Sequence, residues 1–354
     1  MRAAFVYPNS RRAVLAGIEG GTEPDSQLHG GTYLSEHGID VRYYDPLLTR
    51  RRHRQPLERV AWNMRELTLP FELRGVDVVF TPLGAAGLPL AAGLRRLPVV
   101  VINFGLNLIW RRASPGRRRW LRRSLGAAAR VVCFGESQTD EFVELTGLPP
   151  AHVETMLIPI DDRFFTPMPA VAADGVKRVL AVGKDLARDY ATVAAAVESL
   201  DVSVDFVTLP RNLEGIRLPP NVRVLTNVPS TELRDLYVQA DCVVVAQRRD
   251  EFAYGSEGGG LTTLLEGMAM ERPVVATERA IFRDYVEDGV EGLVVPPEDP
   301  AAMRAAVERV LGDPELSRSL GAAGRARVER AHTTRGFAAQ LAPLLRDVVY
   351  GGRT

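Results

Sequence analysis

Short runs of aliphatic and β-branched residues recur along the whole chain, each followed by a longer amphipathic stretch. That alternation leaves few folds open. Runs such as V-V-F-T at 78–81 and C-V-V-V at 242–245 are continuously apolar, as strands are when helices cover both faces of a parallel sheet. The spacing predicts strands over 3–7, 40–44, 76–81, 98–103, 130–134 and 153–158, with helices over 29–37, 88–95, 117–125 and 137–145 between them. A second series predicts strands over 178–182, 203–209, 222–225, 241–246, 273–277 and 292–295. Helices are expected over 190–200, 230–240, 263–270, 301–311, 314–332 and 335–348. The proline- and aspartate-rich stretch 159–169 interrupts the pattern and reads as a linker. At 354 residues the chain is too long for one ordinary domain. The expected fold class is therefore α/β, with Rossmann-like domains over 1–165 and 166–334 and a final helix and tail over 335–354.

Composition narrows the function classes. Hydrophobic residues make up 46% and charged residues 25%, the proportions of a globular protein in water. Net charge is zero, yet residues 1–165 carry 22 arginines against 17 carboxylates, and the rest is correspondingly acidic. Lysine occurs only at Lys177 and Lys184. Cys133 and Cys242 lie in apolar runs and suit neither a disulfide framework nor a metal site. The five histidines, at 29, 37, 53, 152 and 332, lack zinc-ligand spacing. No metal site is expected. The N-terminal apolar run is too short for a signal peptide, and the apolar stretch 98–110 is too short to span a bilayer. The expected location is cytoplasmic.

The most informative segment is 256–300. It opens S-E-G-G-G-L-T-T-L-L-E-G-M-A-M, continues through E-R-P-V-V-A-T and closes D-G-V-E-G-L-V-V-P-P-E-D-P. A glycine triple, Gly258, Gly259 and Gly260, leads through Leu261 and Thr262 into a helix expected to start at Thr263. Free amide N–H groups and the helix dipole make such a start an anion site. Glu266 is expected within its first turn, facing whatever docks there. A plainer reading makes Thr263-x-x-Glu266 a capping box that needs no ligand.

Taken together, the loop, helix, strand and closing D-G-x-x-G-L-V-V-P-P-x-D-P resemble the donor-sugar half of retaining GT-B glycosyltransferases of family four. The resemblance implies two Rossmann-like domains facing across a cleft, with the C-terminal helix crossing back to the first. In that family two glutamates lie eight positions apart. The second binds the ribose hydroxyls and matches Glu266; the first contacts the donor sugar. Glu257 lies nine positions before Glu266, and the strict register falls on Gly258. Either the loop carries one extra residue and Glu257 takes the role, or that carboxylate is absent.

The stretch V-G-K-D-L-A-R-D-Y-A-T at 182–192 follows a predicted strand, and Asp189 is placed to cap the helix after it. The family carries two basic residues after its V-G, and Lys184 and Arg188 match them. On a diphosphate they would neutralise the leaving group without a metal. A surface loop with two basic residues is the plainer alternative. Gly183 and Val228 complete the donor-side residues the resemblance implies. The loop G-I-E-G-G-T, with Gly20 and Gly21, is the family's phosphate and acceptor loop or a simple turn. It lacks a dinucleotide fingerprint.

In P-V-V-V-I-N-F-G-L-N at 98–107, Phe104 stands where the family commonly has a histidine beside the sugar. Asn103 is a nearby polar candidate. A phenyl ring cannot bond a hydroxyl, so the resemblance favours a 6-deoxyhexose or pentose donor, unless Phe104 points into the core. Basic clusters at 50–54 and 111–123, the second with Trp110 and Trp120, would suit peripheral contact with an anionic membrane or a merely solvated face. No nucleic-acid partner is expected.

The implied activity is transfer of a sugar from a nucleoside-diphosphate sugar to a small or lipid-like acceptor, with retention and without metal or other cofactor, in natural-product or glycoconjugate biosynthesis. An epimerase or phosphorylase of the same fold, or a non-catalytic nucleotide-sugar-binding partner, are the competing readings.

Overall fold

The computed structural model describes residues 1–44, 66–168, 175–250, 252 and 255–351. The chain forms two compact units. The first comprises Met1–Gly17, Asp25–Leu157 and Thr334–Thr354; the second comprises Ile18–Pro24 and Ile158–Thr333.

The first unit is built on β1 (Arg2–Val6), β2 (Asp40–Tyr44), β3 (Val78–Thr81), β4 (Val99–Ile102), β5 (Arg130–Cys133) and β6 (Val153–Thr155). These pair in the order β2-β1-β3-β4-β5-β6, all parallel. Every residue of β3 and β4 is buried, as the continuous apolar runs require of strands with both faces covered. The helix Thr334–Tyr350 belongs to this unit. Arg335 bonds Glu36 at 2.9 Å, and the Gly30 backbone fits so closely that a Cβ there would lie 2.7 Å from the Thr334 carbonyl oxygen.

The second unit carries β7 (Lys177–Val182), β8 (Val202–Val207), β9 (Val222–Leu225), β10 (Cys242–Val245), β11 (Val274–Thr277) and β12 (Leu293–Val295). They pair in the order β12-β11-β10-β7-β8-β9, again all parallel. Val179, Val244 and Val275 pack with Val193, Val197 and Val307 in one apolar cluster. From β7 the chain proceeds outward through β8 and β9. It then returns to β10 and proceeds the other way through β11 and β12. The neighbours β7 and β10 therefore mark the topological switch point. Their carboxyl ends leave the crevice in which doubly wound sheets bind ligands.

One sequence expectation needs correction. No α-helix forms over 29–37: one short 3-10 turn, Asp25–Leu28, precedes the stretch and another, Leu34–His37, ends it. His29 and Gly30 between them take left-handed φ values of 48° and 69°, which a right-handed helix cannot contain. Helices Arg12–Glu19 and Leu106–Arg112 were not expected. The proline- and aspartate-rich stretch begins where the first unit gives way to the second, and within the second unit Ile160 bridges Thr333. Among the described residues no helix is long and apolar enough to cross a membrane.

Candidate functional site

Three segments of the second unit meet at the switch point: the loop after β7, the residues after β10, and the start of helix Leu261–Ala269. Gly183 follows β7, and its carbonyl accepts from Tyr190 Oη at 2.8 Å and from Thr208 Oγ1 at 2.7 Å. Beyond it, Asp185 Oδ1 accepts from the Ala187 N–H at 2.8 Å. Asp185 Oδ2 accepts from the Ser256 N–H at 2.9 Å, tying this loop to the glycine loop. Asp189 caps helix Tyr190–Val197 as expected, accepting from the Thr192 N–H at 3.1 Å.

Arg188 folds back beneath this loop. A Cβ at Gly183 would come within 2.7 Å of its Cζ, so only glycine leaves the guanidinium room there. The side chain is 7% exposed, its Nη2 donates to Thr263 Oγ1 at 2.6 Å, and its Nε is buried without a partner. Burial lowers its pKa, with Tyr190, Tyr237, Asp185 and Glu266 opposing the shift. It makes no ion pair among the described residues. A buried guanidinium without an ion pair is costly; an anion bound there would offset that cost. Lys184, by contrast, is exposed at the mouth of the same loop.

The helix after the glycine loop starts two residues earlier than expected, and this corrects the reading of its residues. Gly260 is the N-cap at φ 94° and offers no side-chain cap. Thr263 and Glu266 therefore lie further along the helix, and no capping box forms. Thr263 Oγ1 instead takes Arg188 and donates to the Val182 carbonyl at 3.2 Å. The amide N–H groups of Thr262 and Thr263 have no backbone partner among the described residues, leaving orphan donors as a helix start does. Glu266 lies not in the first turn but in the second. It is 8% exposed, and Tyr237 Oη donates to its Oε2 at 2.7 Å. Burial raises its pKa to about 7, against the lowering pull of Tyr237 and Arg188.

Gly260 has no room for a side chain: a Cβ would lie 2.8 Å from Gln247 Nε2, 2.9 Å from Phe282 Cζ and 3.0 Å from Val245 Cγ1. Steric overlap and the left-handed backbone together should make Gly260→Ala cost about 2 kcal/mol or more. Differential scanning calorimetry should register a Tm drop of at least about 4 °C; an unchanged Tm would mean the helix start is loosely held. Gln247 is itself fully buried with neither carboxamide atom bonded.

Gly258, Gly259 and the half-buried Glu257 occupy the turn before this helix. Val228 is half-buried in the connection after β9. Gly20 and Gly21 follow helix Arg12–Glu19, and Gly21 takes φ 68° with open space around it. Both belong to the second unit, where Glu23 accepts from Ser230 Oγ at 2.7 Å. In the first unit, Asn103 is not free to face a sugar, and this corrects the expectation. Its Oδ1 accepts from the Leu106 N–H at 2.7 Å and its Nδ2 donates to Asn107 Oδ1 at 2.9 Å, fixing helix Leu106–Arg112. Phe104 does not point into the core: it is 47% exposed, with its ring edge-on to His29 at 5.4 Å.

The basic cluster at 50–54 lies outside the described residues. In the cluster at 111–123, Arg111 pairs with Glu141 and Arg118 donates to the Trp110 carbonyl at 3.0 Å. Trp110 is buried, whereas Trp120 is 37% exposed. Sequence reasoning missed Asp185 and Tyr237. The first had a local signal in its place two residues after Gly183; the second, 29 residues from its partner Glu266, had none.

Residues 18–164 match the family described as Glycosyltransferase Family 4, and residues 208–327 match Glycosyl transferases group 1. A D-inositol 3-phosphate glycosyltransferase of Catenulispora acidiphila is 24% identical over 219 residues, covering 54% of this chain and 50% of that protein. The chain spans half the length or less of the curated relatives it matches. A glycosyltransferase structure from Rickettsia africae superposes with a TM-score of 0.73 at 14% identity, over 99% of this chain and 98% of that one. Anabaena HepE, in complex with UDP and glucose, gives 0.70 at 14% identity, over 98% and 99%. With a sugar-transferase family matched in each half and one fold shared along nearly the whole length, the chain belongs to the GT-B glycosyltransferases of the family-four type.

Proposed function

We propose that the protein transfers a sugar from a nucleoside-diphosphate sugar to a small-molecule or lipid-like acceptor, with retention of anomeric configuration and without a metal. The observation that carries this reading is the buried Arg188 guanidinium, unpaired with any described carboxylate, beside the orphan amides of helix Leu261–Ala269. A diphosphate placed there would meet Arg188, the amides of Thr262 and Thr263, and Lys184 from solvent. The HepE complexes with UDP and UDP-glucose make a nucleoside diphosphate the natural ligand class.

In the proposed reaction the bond between the anomeric carbon and the diphosphate oxygen breaks, and the acceptor oxygen bonds that carbon on the same face. The acceptor's proton passes to a leaving-phosphate oxygen, so no protein nucleophile is needed. Arg188, Lys184 and the helix start stabilise charge that grows as the bond breaks, where preorganised donors act most strongly. Glu266 accepts ribose hydroxyls and Glu257 orients the sugar. Thermal-shift screening against nucleoside diphosphates and their sugars tests the reading, since a ligand at a hundred times its Kd adds about 2.7 kcal/mol of stability. Stabilisation by no member of the panel would overturn it.

The resembling family commonly has a histidine beside the sugar where Phe104 stands, and a phenyl ring in that role would favour a donor lacking a hydroxyl at its sixth carbon, because an unpaired hydroxyl loses on the order of 1–3 kcal/mol on burial. Between donors differing only at that carbon, kcat/KM should be higher for the deoxygenated sugar. The opposite preference would remove the idea.

A further inference from the structure

We propose that Tyr237 is a positioning residue of the donor site: its phenol holds one oxygen of the Glu266 carboxylate and leaves the other for the ribose. The inference rests on the reading of Glu266 as the ribose carboxylate. Tyr237 lies on helix Ser230–Gln239 and is fully buried, so it acts through Glu266 and not on the ligand. Its Oη donates to Glu266 Oε2 at 2.7 Å, while Oε1 has no partner among the described residues. Its ring is braced edge-on by Phe165 at 6.0 Å.

The same phenol neighbours the Thr263 hydroxyl, which in turn takes Arg188 Nη2 at 2.6 Å. A buried line of polar groups thus runs from the guanidinium proposed for the diphosphate to the carboxylate proposed for the ribose. Two elements present titratable groups to Glu266: Tyr237 comes from helix Ser230–Gln239 and Arg188 from the loop after β7. Both favour the carboxylate over the carboxylic acid, against the burial that raises its pKa to about 7. A neutral glutamic acid would have one oxygen fewer to accept ribose hydroxyls. Removing the phenol hydroxyl therefore turns a geometric role into a pH-dependent one.

The test is affinity for ADP, GDP, CDP and UDP measured by calorimetry from pH 5.5 to 9.5, in the unaltered protein, Tyr237→Phe and Glu266→Gln. Tyr237→Phe should weaken binding roughly tenfold at pH 7 and move the pH midpoint upward, with the loss closing at high pH. A purely structural tyrosine would weaken binding equally at every pH, and that result, or an unmoved midpoint, overturns the proposal. If Glu266→Gln binds as tightly as the unaltered protein, the ribose reading itself has failed, a result distinguishable from failure of Tyr237 alone. Should Tyr237→Phe not fold, 3-fluorotyrosine placed at 237 keeps the shape while strengthening the donor. It should move the midpoint downward, and an unmoved midpoint again overturns the proposal.

Discussion

Arg188→Ala is expected to lower kcat by about 100- to 1,000-fold, the loss typical of removing one preorganised donor from a developing negative charge. The effect should fall on turnover more than on folding. Arg188 is buried with its Nε unbonded and without an ion pair among the described residues, so its charge is a burden on the ligand-free fold that alanine removes. Against this stands the lost bond to Thr263 Oγ1, leaving Tm within a few degrees of the parent. Arg188→Lys should rescue little, since an ammonium lacks the planar fork that reaches Thr263 and a phosphate together. Lys184, exposed in solvent, should cost less, about tenfold on alanine substitution. Steady-state rates with calorimetric Tm values check the pair. Full activity in Arg188→Ala would show that the guanidinium is only a structural brace.

Glu266→Gln is expected to weaken nucleoside diphosphate binding about ten- to hundredfold, the range for a lost charge-assisted hydrogen bond. The loss should depend on pH, and its sign follows from the raised pKa. With the folded carboxyl titrating at about 7, Glu266 is ionised and fully competent only above that pH. The gap between the two proteins should therefore close as pH falls below 7. Linkage gives the ligand-free fold the opposite trend. A carboxyl whose folded pKa is raised contributes stability below its unfolded pKa, and that contribution is lost as pH rises through about 7. Glu266→Gln should flatten this part of the stability curve in urea titrations. A gap that persists unchanged at pH 5.5 would show that the carboxylate charge is not what binds.

The sheets were legible because parallel strands buried on both faces leave continuous runs, as β3, β4, β10 and β11 do. Helix starts were less legible where no polar cap signalled them. Gly260 begins its helix through backbone freedom alone, so the sequence pattern makes Thr263 the first cap and puts Glu266 a turn too early. The Asp25–His37 region misled for a related reason. Its residues carry helical spacing, but Gly30 is held by close approach of Thr334 and Ala338, about three hundred residues away in sequence. Candidate site residues on one loop, Lys184 and Arg188, could be named because they match the two basic residues that the resembling family carries after its V-G. The burial of Arg188 and the Tyr237–Glu266 bond could not, because both depend on which strand ends the topology brings together.

On the proposed reading, the carboxyl ends of β7 and β10, with the start of helix Leu261–Ala269, bind the diphosphate of a nucleotide sugar through protein charge alone. The deciding experiment is isothermal titration calorimetry of nucleoside diphosphates in excess EDTA, on the unaltered protein and Arg188→Ala. The expected result is saturable binding of at least one nucleoside diphosphate in the chelator, weakened at least tenfold by the substitution. Binding that appears only when magnesium or manganese is restored, or that survives Arg188→Ala undiminished, would contradict it.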